Sequence, residues 1–223
     1  MRLLILGDSV TVGCGFSGVT AETRYVELLR QNFQLTNTNV ELVDSALEGI
    51  DTGYAKKRFN RMVAAFEPDT VLVLLGLNDA EPPGERPPAT PSDYEQNLMG
   101  LVDRILGIDA RPLLAAPNPR FPLPSATSEA TDSLLTATNL MPPYVESLAK
   151  VADHFQIGWM NVHQQFLEQG RLADLLPDGI HPNAAGHQII AETLSTFLVP
   201  FFGGNPSALP HFQSADVTGL SES

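Results

Sequence analysis

Short apolar runs alternate along this chain with longer segments that carry apolar residues at helical spacing. The apolar runs have strand length and occupy residues 2–6, 40–46, 70–76, 111–116 and 157–162. The helical patterns occupy residues 23–33, 53–66, 91–106 and 144–155, and a last one follows Asn183, which is placed to cap it. Strands that alternate with helices in this way predict parallel strands joined by right-handed crossovers.

The fold class that follows is α/β. We expect a three-layer α/β/α sandwich with a flavodoxin-like parallel sheet of about five strands. The run TVLVLLG is apolar throughout, as is typical of a strand covered by helices on both faces. In open sheets of this kind ligands bind beyond the carboxyl ends of the strands. The functional residues should therefore follow strands.

Length and composition predict one main domain. A chain of 223 residues with 43% hydrophobic residues can bury a sizeable core. We place this domain at residues 1–202. The segment 203–223 is rich in Gly, Ser and Pro without helical period, and we expect it to be a loose extension.

Charge and residue usage narrow the partners and the compartment. The formal net charge of −13 repels nucleic-acid phosphates, and the apolar runs are far shorter than the roughly 20 residues that a membrane-spanning helix needs, so we expect neither nucleic-acid binding nor membrane insertion. Arg2 leads directly into the first strand instead of a secretory signal, and Cys14 is a single cysteine. A cytoplasmic protein is the expectation, with Cys14 as a small buried side chain. The oligomeric state is left open.

Chemically useful side chains follow the predicted strands. Ser9 comes after the first strand, Gly49 after the second and Asn78 after the third, while Asp178 and His181 share a turn before the last helix. A serine hydroxyl needs an adjacent base that is itself oriented by a third group, and a carboxylate three residues before a histidine can reach the imidazole. A glycine amide and an asparagine side chain are neutral donors suited to a developing oxyanion.

The segments GDSV, GLND and DGIHPNAAGH, with a glycine after the second strand, resemble the blocks of the SGNH, or GDSL-type, hydrolases from about residue 3 to about residue 199. This resemblance implies a serine esterase or acyl hydrolase that works through an acyl-enzyme. It implies Ser9 as nucleophile, His181 as base and Asp178 beside it. It also implies an oxyanion hole formed by the Ser9 backbone, Gly49 and Asn78.

The chain departs from the family pattern in two blocks. Val10 stands where the family usually has leucine. The second block often reads Asn-x-Gly-x-x-Gly in the family, whereas this chain has DSALEG. Asp44 stands where the family has asparagine, and Ala46 stands where it has the first glycine. Gly49 alone keeps the pattern there.

Two Pro-rich segments, 80–91 and 117–125, follow the third and fourth strands and are suited to walling a pocket. Four residues are candidate contacts for a small-molecule ester substrate: Phe16, Arg86, Arg120 and Phe121. The other histidines have no partner at ligand spacing, so we expect no metal and no cofactor. Two other functions stay open: a flavodoxin-like module that binds a small ligand without turnover, and an acyltransferase that uses the same triad.

Overall fold

The computed structural model describes residues 1–81, 89–122 and 138–203. Arg86 and residues 204–223 lie outside the described residues. The predicted boundary between a hydrolase domain at 1–202 and a loose extension at 203–223 therefore stays a prediction.

Five parallel strands form one sheet with the order β2-β1-β3-β4-β5. The strands are β1 Arg2–Gly7, β2 Glu41–Ala46, β3 Thr70–Leu74, β4 Arg111–Ala116 and β5 Trp159–Asn161. This is the flavodoxin-like order, in which the chain reverses direction across the sheet between β1 and β3. The predicted parallel sheet of about five strands is confirmed.

Helices cover both faces of the sheet, so the predicted three-layer α/β/α sandwich is also confirmed. One group consists of the helices Tyr25–Leu35, Val162–Glu168 and Ala184–Phe202, and the other consists of the helices Thr52–Lys57, Pro91–Leu106 and Pro142–Phe155. The helices of the described residues are α1 Ser9–Val12, α2 Tyr25–Leu35, α3 Thr52–Lys57, α4 Phe59–Met62, α5 Pro91–Leu106, α6 Pro142–Phe155, α7 Val162–Glu168, α8 Leu172–Leu175 and α9 Ala184–Phe202. Over the ranges that the structure describes, no helix is both long and apolar enough to cross a bilayer.

The central strands are buried along their whole length. Every residue of β3 is buried, as is every residue of β1 after Arg2. Removal of this apolar surface from water is the main stabilising contribution to the sandwich. It also fixes the strand ends, and the loops that leave their carboxyl ends therefore start from a rigid base.

The exit of β1 is tightly packed. Asp8 caps the short helix α1 by accepting the Val10 backbone N–H through Oδ1 at 3.0 Å. Ser9 is thus the first residue of a short helix that follows the strand directly. At Gly7, a Cβ atom would lie 1.8 Å from Thr11 Oγ1, so the strand and helix approach more closely than a side chain allows.

Two local expectations differ from the structure. The helix predicted over 53–66 is divided, because Arg58 and Val63 leave the helical backbone region and separate α3, α4 and a 3-10 turn at Ala64–Phe66. The sequence predicts a buried Cys14, but Cys14 is exposed and follows Gly13, which has φ 70°. The predicted cap of α9 is confirmed: Asn183 Oδ1 accepts the Gly186 N–H.

We predict that Gly7→Ala destabilises the protein by roughly 1–3 kcal/mol, the usual cost of overpacking, because the new Cβ would collide with Thr11. Urea denaturation measures the change in the free energy of unfolding. Gly53→Ala is the matched control, since a Cβ there meets only the ends of two side chains, at 3.3 and 3.4 Å. Equal stability of Gly7→Ala and the control would show that the β1–α1 junction tolerates a side chain.

Candidate active site

Ser9, His181 and Asp178 lie in a hydrogen-bonded line at the carboxyl edge of the sheet. Ser9 Oγ is 3.0 Å from His181 Nε2, and His181 Nδ1 is 2.6 Å from Asp178 Oδ2. A carboxylate only accepts hydrogen bonds, so Asp178 holds the imidazole hydrogen on Nδ1 and leaves the Nε2 lone pair facing the serine. The structure thus brings together three side chains that the sequence predicts to meet.

Backbone amides in the turn before α9 orient the Asp178 carboxylate toward His181 Nδ1. Its Oδ1 accepts the backbone N–H groups of Ile180 and His181, at 2.9 and 2.7 Å. Partial burial acts to raise the pKa of Asp178, but the hydrogen bonds from the His181 side chain and from both amides outweigh it and lower this pKa below its usual value. Asp178 is therefore ionised at neutral pH.

Asn78 and Gly49 lie on neighbouring loops that are tied together. Asn78 Nδ2 donates to the Ile50 carbonyl at 2.9 Å, and among the residues that the structure describes its second hydrogen has only a distant acceptor, Asp8 Oδ2 at 3.5 Å. Gly49 has φ 71°, a left-handed conformation that favours glycine. Within the described residues, the backbone amides of Ser9 and Gly49 donate to no backbone carbonyl.

Two carboxyl groups are buried behind these loops. Asp79 accepts the Thr52 backbone N–H at 3.1 Å and its hydroxyl at 2.5 Å, which joins the β3 exit to the start of α3. Burial raises the pKa of Asp79 to about 6. Burial likewise raises the pKa of Asp8 to about 6, with a smaller contribution from the charge of Asp79. Both carboxyl groups act as buried acceptors for the loops that carry Ser9 and Asn78.

The predicted substrate contacts lie in different environments. Phe16 is partly exposed and stacks on the His181 ring. Arg120 is buried, and its Nη1 donates to the Leu77 carbonyl at 2.9 Å. Phe121 is buried within the core, because its amide donates to Gly179 and draws the chain onto the 178–181 turn. Arg86 lies outside the described residues.

Two residues that support the site were not found from the sequence. Asn118 is buried after β4 and donates through Nδ2 to the Ile180 carbonyl at 2.9 Å, so it holds the turn that carries His181. Its place after a strand was a signal that could have identified it. Ser17 Oγ donates to the His181 carbonyl at 2.8 Å, and no local pattern marks Ser17.

The other buried histidines have structural partners. His187 Nδ1 accepts the Tyr25 backbone N–H at 3.1 Å, and burial lowers its pKa to about 4. His163 Nε2 lies 2.7 Å from Asn139 Nδ2, and burial lowers its pKa to about 4 as well. Among residues 1–81, 89–122 and 138–203, no group of three or more His, Cys, Asp or Glu side chains is arranged to hold a metal ion.

Most of the chain is matched by a known family. Residues 5–189 match the profile of the GDSL-like Lipase/Acylhydrolase family. The chain belongs to this family. As a GDSL-family member it is a carboxylic ester hydrolase, so the predicted enzyme class is confirmed.

Relatives of this GDSL-family chain include two curated enzymes. It is 26% identical over 200 residues to a protein of Escherichia coli K12 named thioesterase 1/protease 1/lysophospholipase L1, covering 89% of this chain and 83% of the relative. It is 24% identical over 205 residues to an acetylxylan esterase of Geobacillus stearothermophilus, covering 86% and 90%.

Solved structures share the fold of the GDSL-family chain. An α/β hydrolase enzyme from the metagenome of Lake Arreo, Spain, superposes with a TM-score of 0.69 at 25% identity, over 87% of this chain and 93% of that one. The acetylxylan esterase of G. stearothermophilus superposes with a TM-score of 0.69 at 22% identity, over 87% and 92%.

We predict that Asp79→Asn flattens the dependence of stability on pH. Because the folded pKa of Asp79 is about 6, above the ordinary unfolded value, its contribution to stability is complete below about pH 4 and is lost as the pH rises through 6. The free energy of unfolding should fall between pH 4 and pH 7 by on the order of 2 kcal/mol more in the wild type than in the variant.

Urea denaturation at four pH values measures this difference. Asp103→Asn, at an exposed position on α5, is the control and should follow the wild-type curve. An Asp79→Asn curve parallel to the wild type would contradict the role of burial.

Proposed function

We propose that the protein hydrolyses esters of short acyl groups, acetyl esters among them, through an acyl-enzyme formed on Ser9. The observation that carries this proposal is the unbroken line from Ser9 Oγ to His181 Nε2 at 3.0 Å and from His181 Nδ1 to Asp178 at 2.6 Å. A serine hydroxyl is a weak nucleophile unless a base accepts its proton, and this line supplies one.

Acylation begins when His181 Nε2 accepts the Ser9 hydroxyl proton while Oγ forms a bond to the acyl carbon. The carbonyl electron pair moves to oxygen and gives a tetrahedral oxyanion. Asp178, ionised and bonded to Nδ1, stabilises the imidazolium without taking its proton. The bond from carbon to the leaving oxygen then breaks, and His181 gives its proton to the departing alcohol.

The oxyanion is proposed to accept hydrogen bonds from the Ser9 and Gly49 amides and from Asn78 Nδ2. Three features within the described residues support this assignment. The Ser9 amide donates to no backbone carbonyl, nor does the Gly49 amide, and one Asn78 hydrogen has only a distant acceptor. The bond from Asn78 to the Ile50 carbonyl orients the side chain before substrate arrives. Donors fixed in this way stabilise charge without reorganising during the reaction.

Deacylation repeats these steps with water. His181 takes a proton from the water as its oxygen attacks the acyl carbon, and Ser9 leaves with that proton restored. An alcohol in place of water would give acyl transfer by the same residues. We propose hydrolysis as the main outcome because membership of the family makes the chain an ester hydrolase.

The substrate class is proposed from the relatives. One is named a thioesterase, protease and lysophospholipase and the other an acetylxylan esterase, and all these names share the transfer of an acyl group to water. We propose a small acylated molecule as substrate. A series of nitrophenyl esters of increasing chain length, assayed beside acetylated xylo-oligosaccharides and an acyl thioester, orders these candidates by kcat/KM. Equal kcat/KM for C2 and C16 esters would contradict a short-acyl preference.

We predict that Ser9→Ala removes nearly all turnover while the melting temperature stays close to the wild type, because the hydroxyl oxygen forms the covalent bond. A fluorophosphonate should add its phosphorus to Ser9 in the wild type, as detected by peptide mass spectrometry, and should not label the variant. Ser195→Ala, which changes a partly buried serine on α9, is the control and should be labelled normally. Labelling of any other serine would contradict Ser9 as the nucleophile.

We predict that Asn78→Ala lowers kcat by roughly 10²- to 10³-fold, about 3 kcal/mol, with little change in KM, because the donor acts on charge that develops in the transition state. Loss of the bond to Ile50 will also lower the melting temperature somewhat. Kinetics are therefore measured well below the midpoint of the variant. A near-normal kcat with a lowered midpoint would assign Asn78 to loop stability alone.

A further inference from the structure

An aromatic ring lies against the imidazole of the proposed base. The Phe16 and His181 ring centroids are 4.2 Å apart and the ring planes differ by 20°, so the rings are stacked face to face. The His181 side chain is only 16% exposed. The electron-rich face of Phe16 therefore covers one side of a group that becomes positively charged during the proposed reaction.

Hydrogen bonds on both sides of Phe16 hold the loop that carries it. Phe16 donates its backbone N–H to Gly13, and its carbonyl accepts the Val19 N–H. Ser17 adopts a left-handed conformation with φ 47°, which is unfavourable for a residue with a side chain, and its hydroxyl donates to the His181 carbonyl at 2.8 Å. The loop after Ser9 thus contacts His181 at two points. The Ser17 hydroxyl binds its backbone carbonyl, and the Phe16 ring packs on its imidazole.

We propose that Phe16 is a positioning residue for the base: its ring holds the His181 imidazole in the plane that faces Ser9 and stabilises the imidazolium formed when Ser9 loses its proton. The inference rests on the proposed function, because it needs His181 to become charged. A cation within about 6 Å of an aromatic centroid is attracted to the ring face, and more strongly where water is excluded.

Other charged or titratable groups also face His181. Asp178 contacts it on its own turn, Asp8 acts on it from the start of α1, and His187 lies near it on α9. Arg120, from the loop after β4, lies close enough to Asp178 to interact with its charge. A substitution at Phe16 changes none of these groups, so its effect on the base reports on the ring.

The test replaces Phe16 with phenylalanines that carry one, two or three fluorine atoms. Fluorine withdraws electron density from the ring face and keeps its shape and apolar surface nearly unchanged. The expected result is a stepwise fall in plateau kcat/KM, roughly two- to tenfold across the series, with a stepwise shift of the acid limb of the pH profile to lower pH. Both effects follow from a less stable imidazolium. Phe16→Leu keeps an apolar side chain without a ring, and its kcat/KM should be close to that of the variant with three fluorine atoms.

Three results separate the possibilities. A kcat/KM and an acid limb that do not respond to fluorine would overturn the inference even if Phe16→Leu loses activity, because a purely steric role does not sense ring electrons. An effect confined to KM for the longer acyl chains would also overturn it and make Phe16 a substrate contact. His181→Ala, assayed in parallel, tests the proposed function separately: if it retains wild-type turnover, the proposed base is wrong whatever the fluorine series shows.

Discussion

The contact between Ser9 Oγ and His181 Nε2 joins residues 172 positions apart in the chain, and the rest of the site is arranged around it. Ser9 is fixed because β1 is buried and Gly7 lets α1 begin directly at the strand end. His181 is fixed because its turn is bonded to Asn118 from the loop after β4 and to Ser17 from the loop after α1. A distance of 3.0 Å across such a separation depends on a rigid sheet beneath both loops.

The electrostatics of the site combine buried carboxyl groups with neutral donors. Asp8 and Asp79 lie behind the proposed oxyanion hole, and their burial raises both pKa values to about 6. Asp8 accepts the Val10 amide and so fixes the turn that carries Ser9, and Asp79 accepts the Thr52 amide and so joins the loop that carries Asn78 to the start of α3. This arrangement orders the loops at some cost in stability at neutral pH, since a buried carboxylate is poorly solvated.

The sequence alone determined the order of the strands along the chain and the sheet edge at which the candidate site residues meet. Apolar runs of strand length specify strands because burial on both faces admits few polar residues, and parallel strands must end at a common edge. Ser9 and Asn78 could be predicted as site residues because each follows a strand that the pattern defines, and Asp178 and His181 because they share a turn before the last predicted helix. The family blocks added their proposed roles, and the match over residues 5–189 agrees with that resemblance.

Only the tertiary structure decided the features that depend on distant contacts. The helical pattern at 53–66 predicts one helix, and its periodicity gives no sign of the breaks at Arg58 and Val63. Cys14 is exposed while Phe16, two residues later, lies against His181, and the hydrogen bond from Ser17 to the His181 carbonyl holds the loop there. Local patterns record which residues prefer burial, whereas a loop's path is set by partners more than a hundred residues away, as the separation of 164 between Ser17 and His181 shows.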